Sequence, residues 1–98
     1  MSGTTRSSSD LDPRRRRLLF RAWHRGTREM DLLMGPFCDA EIGTLGEEDV
    51  AAFERLIEAE DHDLYDWITG TAATPDIHDT GLMHKLRAFH ARPGRARA

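Results

Sequence analysis

The sequence predicts a small all-α protein, a bundle of four to five short helices. Apolar residues recur at a spacing near 3.6 rather than 2, and no segment alternates convincingly as a strand does. Glycines and cap-forming residues also separate the apolar stretches at regular intervals. A chain of 98 residues, 39% of them hydrophobic and 32% charged, has room for one compact core and little else.

The first helix is expected to begin at Asp12, a favourable N-cap residue that is followed by Pro13 in the first turn. Gly26 can adopt the left-handed conformation found at helix C-termini, so we expect it to end this helix. The predicted apolar stripe consists of Leu18, Leu19, Ala22 and Trp23.

The second helix is expected to start after Thr27, whose hydroxyl can cap it. The Gly35-Pro36 pair predicts either a kink or an early end, because proline lacks a backbone N–H. A full apolar face follows the helical spacing and is formed by Met30, Leu33, Met34, Phe37 and Cys38.

Three more helices complete the bundle. Thr44 and Glu47 have the spacing of a capping box ahead of the third helix. Either Asp61 or Asp63 is expected to cap the fourth, which Gly70 closes, and either Thr74-Pro75 or Asp79 opens the fifth. The predicted inward-facing residues are Val50, Phe53, Leu56, Ile57, Leu64, Trp67, Ile68, Leu82, Met83, Leu86 and Phe89.

The chain divides into one domain and two tails. Residues 1–10 are small and polar apart from Met1, and residues 1–11 are predicted to be a disordered N-terminal tail and residues 92–98 a flexible basic C-terminal tail. Residues 12–91 form the predicted helical domain. The longest apolar runs are three residues and the N-terminus lacks an apolar stretch, so we expect neither membrane insertion nor a secretory signal peptide.

Charge is unevenly distributed along the chain. Residues 11–30 carry seven arginines against two acids, whereas residues 31–66 carry twelve acids against one arginine. Such asymmetry can steer a charged partner, but opposite patches can equally attract each other across the fold. The run Arg14-Arg15-Arg16-Arg17 keeps a small helical nucleic-acid-binding protein open as an alternative function. The uneven charge distribution keeps a self-associating module open as a third.

The sequence offers little for catalysis or metal binding. His78, His84 and His90 recur every six residues, which places neighbours about 120° apart around a helix and predicts no metal site. The single cysteine, Cys38, lies on an apolar face and is expected to pack as a small hydrophobic residue. No nucleophile elbow, phosphate-binding loop or dinucleotide fingerprint is present, so we expect a protein without enzymatic activity.

The most informative stretch joins the first two helices. Gly26 removes side-chain bulk there, so the backbone of another protein can approach, and Arg25, Arg28 and Glu29 can make charge-assisted hydrogen bonds. Gly26 can equally be a helix C-cap, and Glu29 can complement the dipole of the second helix. The residue types alone do not decide between a docking surface and an ordinary helix boundary.

Arg25-Gly26-x-x-Glu29 resembles the RGxxE motif of the succinate dehydrogenase assembly factors, the flavinylation factors called SdhE in bacteria. Further segments resemble that family in the same order, so that the resemblance covers residues 14–90. They are Met34-Gly35-Pro36-Phe37, Leu45-Gly46-Glu47-Glu48, Phe53-Glu54-Arg55-Leu56-Ile57-Glu58 and Asp61-His62-Asp63-Leu64-Tyr65-Asp66-Trp67-Ile68.

The resemblance implies a small helical helper that binds the flavoprotein subunit of succinate dehydrogenase, and of the related fumarate reductase. It implies that this helper promotes covalent attachment of FAD to its client without forming the bond and without stably holding FAD itself. A cytoplasmic bacterial protein, monomeric or weakly dimeric, is expected. The residues expected to contact the partner are Arg25, Gly26 and Glu29, with Thr27, Arg28 and Asp31 beside them.

Overall fold

The structure, a computed structural model, describes residues 9–91. Within this range the chain forms α-helices and one short 3₁₀ helix but no strand, which confirms the predicted all-α class. The helices are α1 Pro13–Ala22, α2 Arg28–Glu41, α3 Glu47–Leu56, α4 Asp61–Thr69, the 3₁₀ helix Asp76–His78, and α5 Gly81–Ala91. Predictions for residues 1–8 and 92–98 concern segments outside the described residues.

The helices surround one core, in which α1 packs chiefly on α2 while α5 packs on α3 and α4. Phe37 of α2 lies at the centre, with its ring edge-to-face against Phe53 at 5.9 Å and Phe89 at 5.7 Å between centroids. Nearly all the predicted inward-facing residues are buried, whereas Leu33 and Trp67 are partly buried at the margin of the core. Leu11, which the predicted boundary leaves in the N-terminal tail, is also buried.

Helix α1 begins as predicted, because the carboxylate of Asp12 accepts a hydrogen bond from the backbone N–H of Arg15 at 2.8 Å. The predicted end at Gly26 is wrong. The last turn tightens at Trp23, whose N–H is shared between the carbonyls of Leu19 and Phe20, and the helix ends at Ala22. Gly26 does have a positive φ of +112°, but it lies in the following loop.

Helix α2 is capped as predicted, since the hydroxyl of Thr27 accepts a hydrogen bond from the N–H of Met30 at 3.2 Å. The predicted early end at Gly35-Pro36 is wrong, because α2 continues to Glu41 with Pro36 in its interior. Packing accounts for the glycine: a Cβ at Gly35 would lie 2.4 Å from two ring atoms of Trp23. The Trp23 ring thus occupies space that only a glycine leaves open.

The caps of the later helices differ from prediction. Helix α3 has Gly46 as its N-cap rather than Thr44, whose hydroxyl instead donates to the carbonyl of Glu41 at 3.2 Å. Helix α4 is preceded by Glu60 rather than capped by Asp61 or Asp63. In both helices acids fill the first turn, where they complement the partial positive charge of the helix N-terminus.

The start of α5 is also shifted from its predicted position. The hydroxyl of Thr80 accepts a hydrogen bond from the N–H of Met83 at 3.3 Å, so neither Thr74-Pro75 nor Asp79 caps this helix. Pro75 instead precedes the 3₁₀ helix. The predicted end of α4 is confirmed, because Gly70 adopts the left-handed conformation with φ +84°. No helix within residues 9–91 is long and apolar enough to cross a membrane.

Candidate functional site

The α1–α2 loop, residues 23–27, forms an exposed corner whose two ends are fixed by packing. At its start the indole of Trp23 lies against Gly35 and donates from Nε1 to Oδ1 of Asp39 at 3.1 Å. At its end Thr27 caps α2. The loop is therefore held between two anchored residues, and its conformation is determined by the helices that it joins.

Arg25 lies in this loop and its side chain is directed back into the fold. The guanidinium donates to the carbonyl oxygens of Ile57 at 2.6 Å and Ala59 at 2.8 Å. It also donates twice to Oδ1 of Asp61, at 3.0 and 2.7 Å, and the side chain is only 10% exposed. Arg25 thus links the loop to the α3–α4 turn, and its charge is neutralised within the molecule.

Asp31 fixes the same loop from the other side. Its Oδ1 accepts a hydrogen bond from the backbone N–H of Arg25 at 2.7 Å. The hydroxyl of Thr27 is used in the helix cap. Arg25, Thr27 and Asp31, three of the six residues predicted to contact a partner, therefore have hydrogen-bond partners within the molecule. Their geometry suits positioning of the loop rather than direct contact with another protein.

The other three predicted residues, Gly26, Arg28 and Glu29, are exposed. Apart from Gly26 itself and its two chain neighbours, no described residue has an atom within 4 Å of the position that a Cβ at Gly26 would take. The side chains of Arg28 and Glu29 make no hydrogen bond or ion pair with the described part of the chain. Arg28 and Glu29 begin α2 directly after the loop, so a bare backbone and two unpaired opposite charges lie side by side.

A groove of about 320 Å³, missed in the sequence analysis, lies next to this corner. It is lined by Phe20 and His24 on one side and by Ile57 and Ala59 on the other, with the Arg25 side chain between. The rings of Phe20 and His24 are stacked, with centroids 3.9 Å apart and planes 19° apart. Phe20 and His24 are four residues apart, a spacing that brings side chains together where the chain is helical, and the sequence signal for the pair continues just past the end of α1.

The arginines of α1 are divided between internal pairs and solvent. Arg14 forms ion pairs with Glu47 and Glu54, both at 2.7 Å, and Arg21 pairs with Glu58 at 2.6 Å. The hydrogen bonds from Arg14 lower the pKa of the Glu54 carboxyl, and those from Arg21 lower that of Glu58. Some arginines of the basic segment are therefore paired with glutamates of the acidic segment within the fold.

The remaining basic residues of α1 behave in two ways. Arg15 donates to the backbone carbonyls of Ile42 and Leu45 and so supports the α2–α3 turn. Arg16 and Arg17 are exposed and make no ion pair within residues 9–91. The four consecutive arginines thus point in different directions around α1, as helical geometry requires.

The histidines are not gathered at one place. The ring of His84 interacts with Asp79 at 3.0 Å, and Nε2 of His90 donates to the carbonyl of Leu33 at 2.6 Å. His78 lies beside Trp67, with ring centroids 5.2 Å apart. In the described range, no three His, Cys, Asp or Glu side chains are grouped so as to hold a metal ion. Cys38 is buried in the core, as predicted.

Comparison with known proteins gives the family. The family described as the flavinator of succinate dehydrogenase matches residues 16–90, which include most of α1 and all of the α1–α2 loop. This chain belongs to the flavinator family.

Curated members of the flavinator family from bacteria and animals resemble the chain over most of its length. The FAD assembly factor SdhE of Acetobacter pasteurianus is 38% identical over 80 residues, which cover 82% of this chain and 73% of the relative. The mitochondrial succinate dehydrogenase assembly factor 2 of Danio rerio is 33% identical over 86 residues, covering 86% of this chain and 54% of the relative. The mitochondrial succinate dehydrogenase assembly factor 2 of Drosophila grimshawi is 33% identical over 84 residues, which cover 84% of this chain and 57% of the relative.

The chain thus spans about three quarters of the length of the Acetobacter pasteurianus relative and little more than half of the length of the two animal relatives. The match includes both the residues that anchor the α1–α2 loop and those that it exposes. Nothing in these relatives supports nucleic-acid binding through Arg14–Arg17.

Proposed function

We propose that this flavinator binds the flavoprotein subunit of succinate dehydrogenase and promotes covalent attachment of FAD to it. Family membership and the names of the relatives support the proposal. The structural observation that supports particular residues as the docking site is the α1–α2 corner. There Gly26 leaves the backbone without side-chain cover beside the exposed side chains of Arg28 and Glu29.

The corner is preorganised for docking. Arg25 and Asp31 hold the loop through hydrogen bonds of 2.6 to 3.0 Å, so little conformational freedom remains to be lost on association. Gly26 permits close backbone approach, while Glu29 can accept and Arg28 can donate charge-assisted hydrogen bonds. In this proposal Gly26, Arg28 and Glu29 contact the client, and Arg25, Thr27 and Asp31 position them.

The chain acts as a helper that favours one conformation of its client. The assembly-factor names of the relatives support a non-catalytic role. In this mechanism the corner binds more tightly to the flavoprotein conformation in which FAD and its acceptor side chain meet, and so shifts the population toward it. The bond itself forms within the flavoprotein, FAD belongs to the client, and the helper dissociates unchanged.

Three finer expectations remain predictions attached to this function. They are that fumarate reductase is also a client, that the chain is a monomer or weak homodimer, and that it acts in the cytoplasm. Each of the three expectations is independent of the docking proposal, because succinate dehydrogenase can be the client even if that expectation is wrong.

The experiment compares two glycines with the same backbone constraint. Gly26 and Gly70 both have positive φ, and at both positions a Cβ would project into open space, so arginine at either position introduces similar strain. We expect Gly26→Arg to abolish co-purification with the flavoprotein subunit and to lower its covalent flavin, measured by in-gel fluorescence. Gly70→Arg should retain both activities at the wild-type level.

Two results would contradict the proposal. If the wild-type chain neither co-purifies with the flavoprotein nor raises its covalent flavin, the proposed function is wrong. If the wild type does both and Gly26→Arg does so equally well, the function stands but the docking corner is misassigned.

A further inference from the structure

Phe20 is unusual among the phenylalanines of this chain. The other three, Phe37, Phe53 and Phe89, are buried in the core, whereas Phe20 is 62% exposed. An exposed aromatic side chain costs solvation free energy unless a partner covers it. Tryptophan, tyrosine and similar large side chains at the centre of an interface often carry much of its binding energy.

The ring of Phe20 is held in place although it is exposed. It stacks on the ring of His24, which is itself fixed because its Nδ1 lies 2.6 Å from the backbone carbonyl of Phe20. The pair forms one wall of the groove, which Ile57 and Ala59 also line, although Ile57 is almost completely buried. The groove is therefore formed before any partner binds, and the exposed ring of Phe20 offers an apolar surface to an inserted side chain.

The groove is continuous with the docking corner. His24 and Arg25 belong both to the α1–α2 loop and to the lining of the groove, so a protein seated on Gly26 also covers the mouth of the groove. This continuity favours the client of the corner as the occupant.

Charge around the groove defines the chemistry of that occupant more closely. Two arginines that line it are neutralised internally, Arg21 by Glu58 and Arg25 by Asp61. Arg17 lies one turn before Phe20 on α1, is exposed, and makes no ion pair with any described residue. Arg28, beyond the loop, likewise makes no ion pair with the described residues, so arginines without an ion-pair partner both precede and follow the aromatic pair along the chain.

We infer that the Phe20–His24 groove is a second part of the client interface, and that it receives an apolar side chain from a flavoprotein segment that also carries carboxylates. The inference rests on the proposed function and extends it from the Gly26 corner onto α1. Phe20 supplies apolar contact area in the groove, while Arg17 and Arg28 attract the acids that flank the inserted side chain.

The test of the apolar contact uses Ile77 as a matched control. Ile77 is 63% exposed, almost the same as Phe20, but it lies in the 3₁₀ helix and does not line the groove. We expect Phe20→Ala to weaken the affinity for the purified flavoprotein subunit on the order of 30-fold, and Phe20→Leu to weaken it less. Ile77→Ala should stay within about twofold, as most exposed contacts outside an interface centre do. Melting temperatures of all variants check that each is folded.

The test of the charge uses Arg55 as its control, because Arg55 is exposed on α3 and forms no ion pair within the described residues. Arg17→Gln should weaken binding about threefold at low salt, and the difference should fade as salt is raised. Arg55→Gln should leave both the affinity and its salt dependence at the wild-type values.

The outcomes separate this inference from the proposed function. If wild type binds the flavoprotein and raises its covalent flavin but Phe20→Ala binds within twofold of wild type, the groove is not part of the interface and the function stands. If wild type does not bind, both are wrong. If Phe20→Ala removes only a self-association seen by sedimentation, a second copy is the occupant and the inference is overturned.

Discussion

Arg25 and Asp61 are joined by two hydrogen bonds, from Nε at 3.0 Å and Nη2 at 2.7 Å, both to Oδ1 of the carboxylate. These bonds connect the α1–α2 loop to the first turn of α4, across 36 positions of sequence. The arginine of the RGxxE motif therefore determines where Gly26 lies. The glycine and the glutamate of the same motif, Gly26 and Glu29, are left exposed.

Removal of the Arg25 side chain should destabilise the fold. Arg25→Ala leaves the carbonyls of Ile57 and Ala59 without their donors and Asp61 without its counter-charge. We expect a loss of about 2–4 kcal/mol in the free energy of unfolding, measured by urea denaturation. Arg28→Ala is the control and should stay within about 0.5 kcal/mol, since its side chain is exposed and unpaired among the described residues. Equal stability of the two variants would show that Arg25 does not anchor the loop.

A methyl group at Gly35 should also be costly, because its Cβ would overlap the ring of Trp23 at 2.4 Å. We expect Gly35→Ala to lower the free energy of unfolding by about 1–3 kcal/mol, despite the better helix propensity of alanine. Gly81→Ala is the matched control: it is also helical, but its Cβ would meet only Oδ1 of Asp49 at 3.8 Å. It should be neutral or slightly stabilising in the same urea titration.

The origin of the Gly35 effect can be tested by changing its neighbour. A smaller ring in Trp23→Phe makes room at the contact, so adding it to Gly35→Ala should recover part of the lost stability relative to the two single changes. Strictly additive effects would mean that the helix tolerates Gly35→Ala poorly for a reason other than the indole.

The sequence predicted the helices and most of the core because both depend on local spacing. Apolar residues at intervals of three and four identify the buried faces, and Asp12 and Thr27 cap helices as their residue types suggest. The predicted caps of α3 and α4 are wrong because an N-cap residue needs an extended backbone but does not need to cap through its side chain. Gly46 and Glu60 meet that requirement without a side-chain hydrogen bond, which their residue types do not reveal.

The sequence predicts a candidate site at the α1–α2 loop, but it does not distinguish the residues of the loop that face inward from those that are exposed. Arg25 is predicted to contact the partner because of the family resemblance that its motif carries. Its real neighbours, Ile57, Ala59 and Asp61, are more than thirty positions away, so only the packed fold brings them together. The exposure of Phe20 depends on the same packing, because it sits beside the buried Leu18 and Leu19 in sequence.

Glu29 should affect client binding much more than it affects folding. Glu29 and Glu48 are both exposed acids in the first turn of a helix, α2 and α3 respectively. Each should contribute a similar favourable interaction with its helix dipole, so alanine at either position should cost about 0.3–1 kcal/mol in the free energy of unfolding. We expect only Glu29→Ala to weaken flavoprotein binding, by about tenfold in a titration with the purified subunit. If the two variants bind alike, the dipole interaction is the whole role of Glu29.

The ion pairs that join α1 to Glu54 of α3 and to Glu58 of the α3–α4 turn predict a particular response to acid. Hydrogen bonds from Arg14 and its positive charge hold the pKa of Glu54 below its ordinary value of 4.5, and Arg21 lowers the pKa of Glu58 in the same way. The folded state therefore binds these protons less readily than the unfolded state. The stabilisation is complete above pH 4.5 and is lost as the pH falls through the lowered values.

The double variant Glu54→Gln with Glu58→Gln should be less stable than wild type at pH 7 but should lose less melting temperature between pH 7 and about pH 3. Glu48→Gln removes a carboxylate without an arginine partner among the described residues and should keep the steeper wild-type dependence. An unchanged acid dependence in the double variant would show that these pairs do not stabilise the bundle.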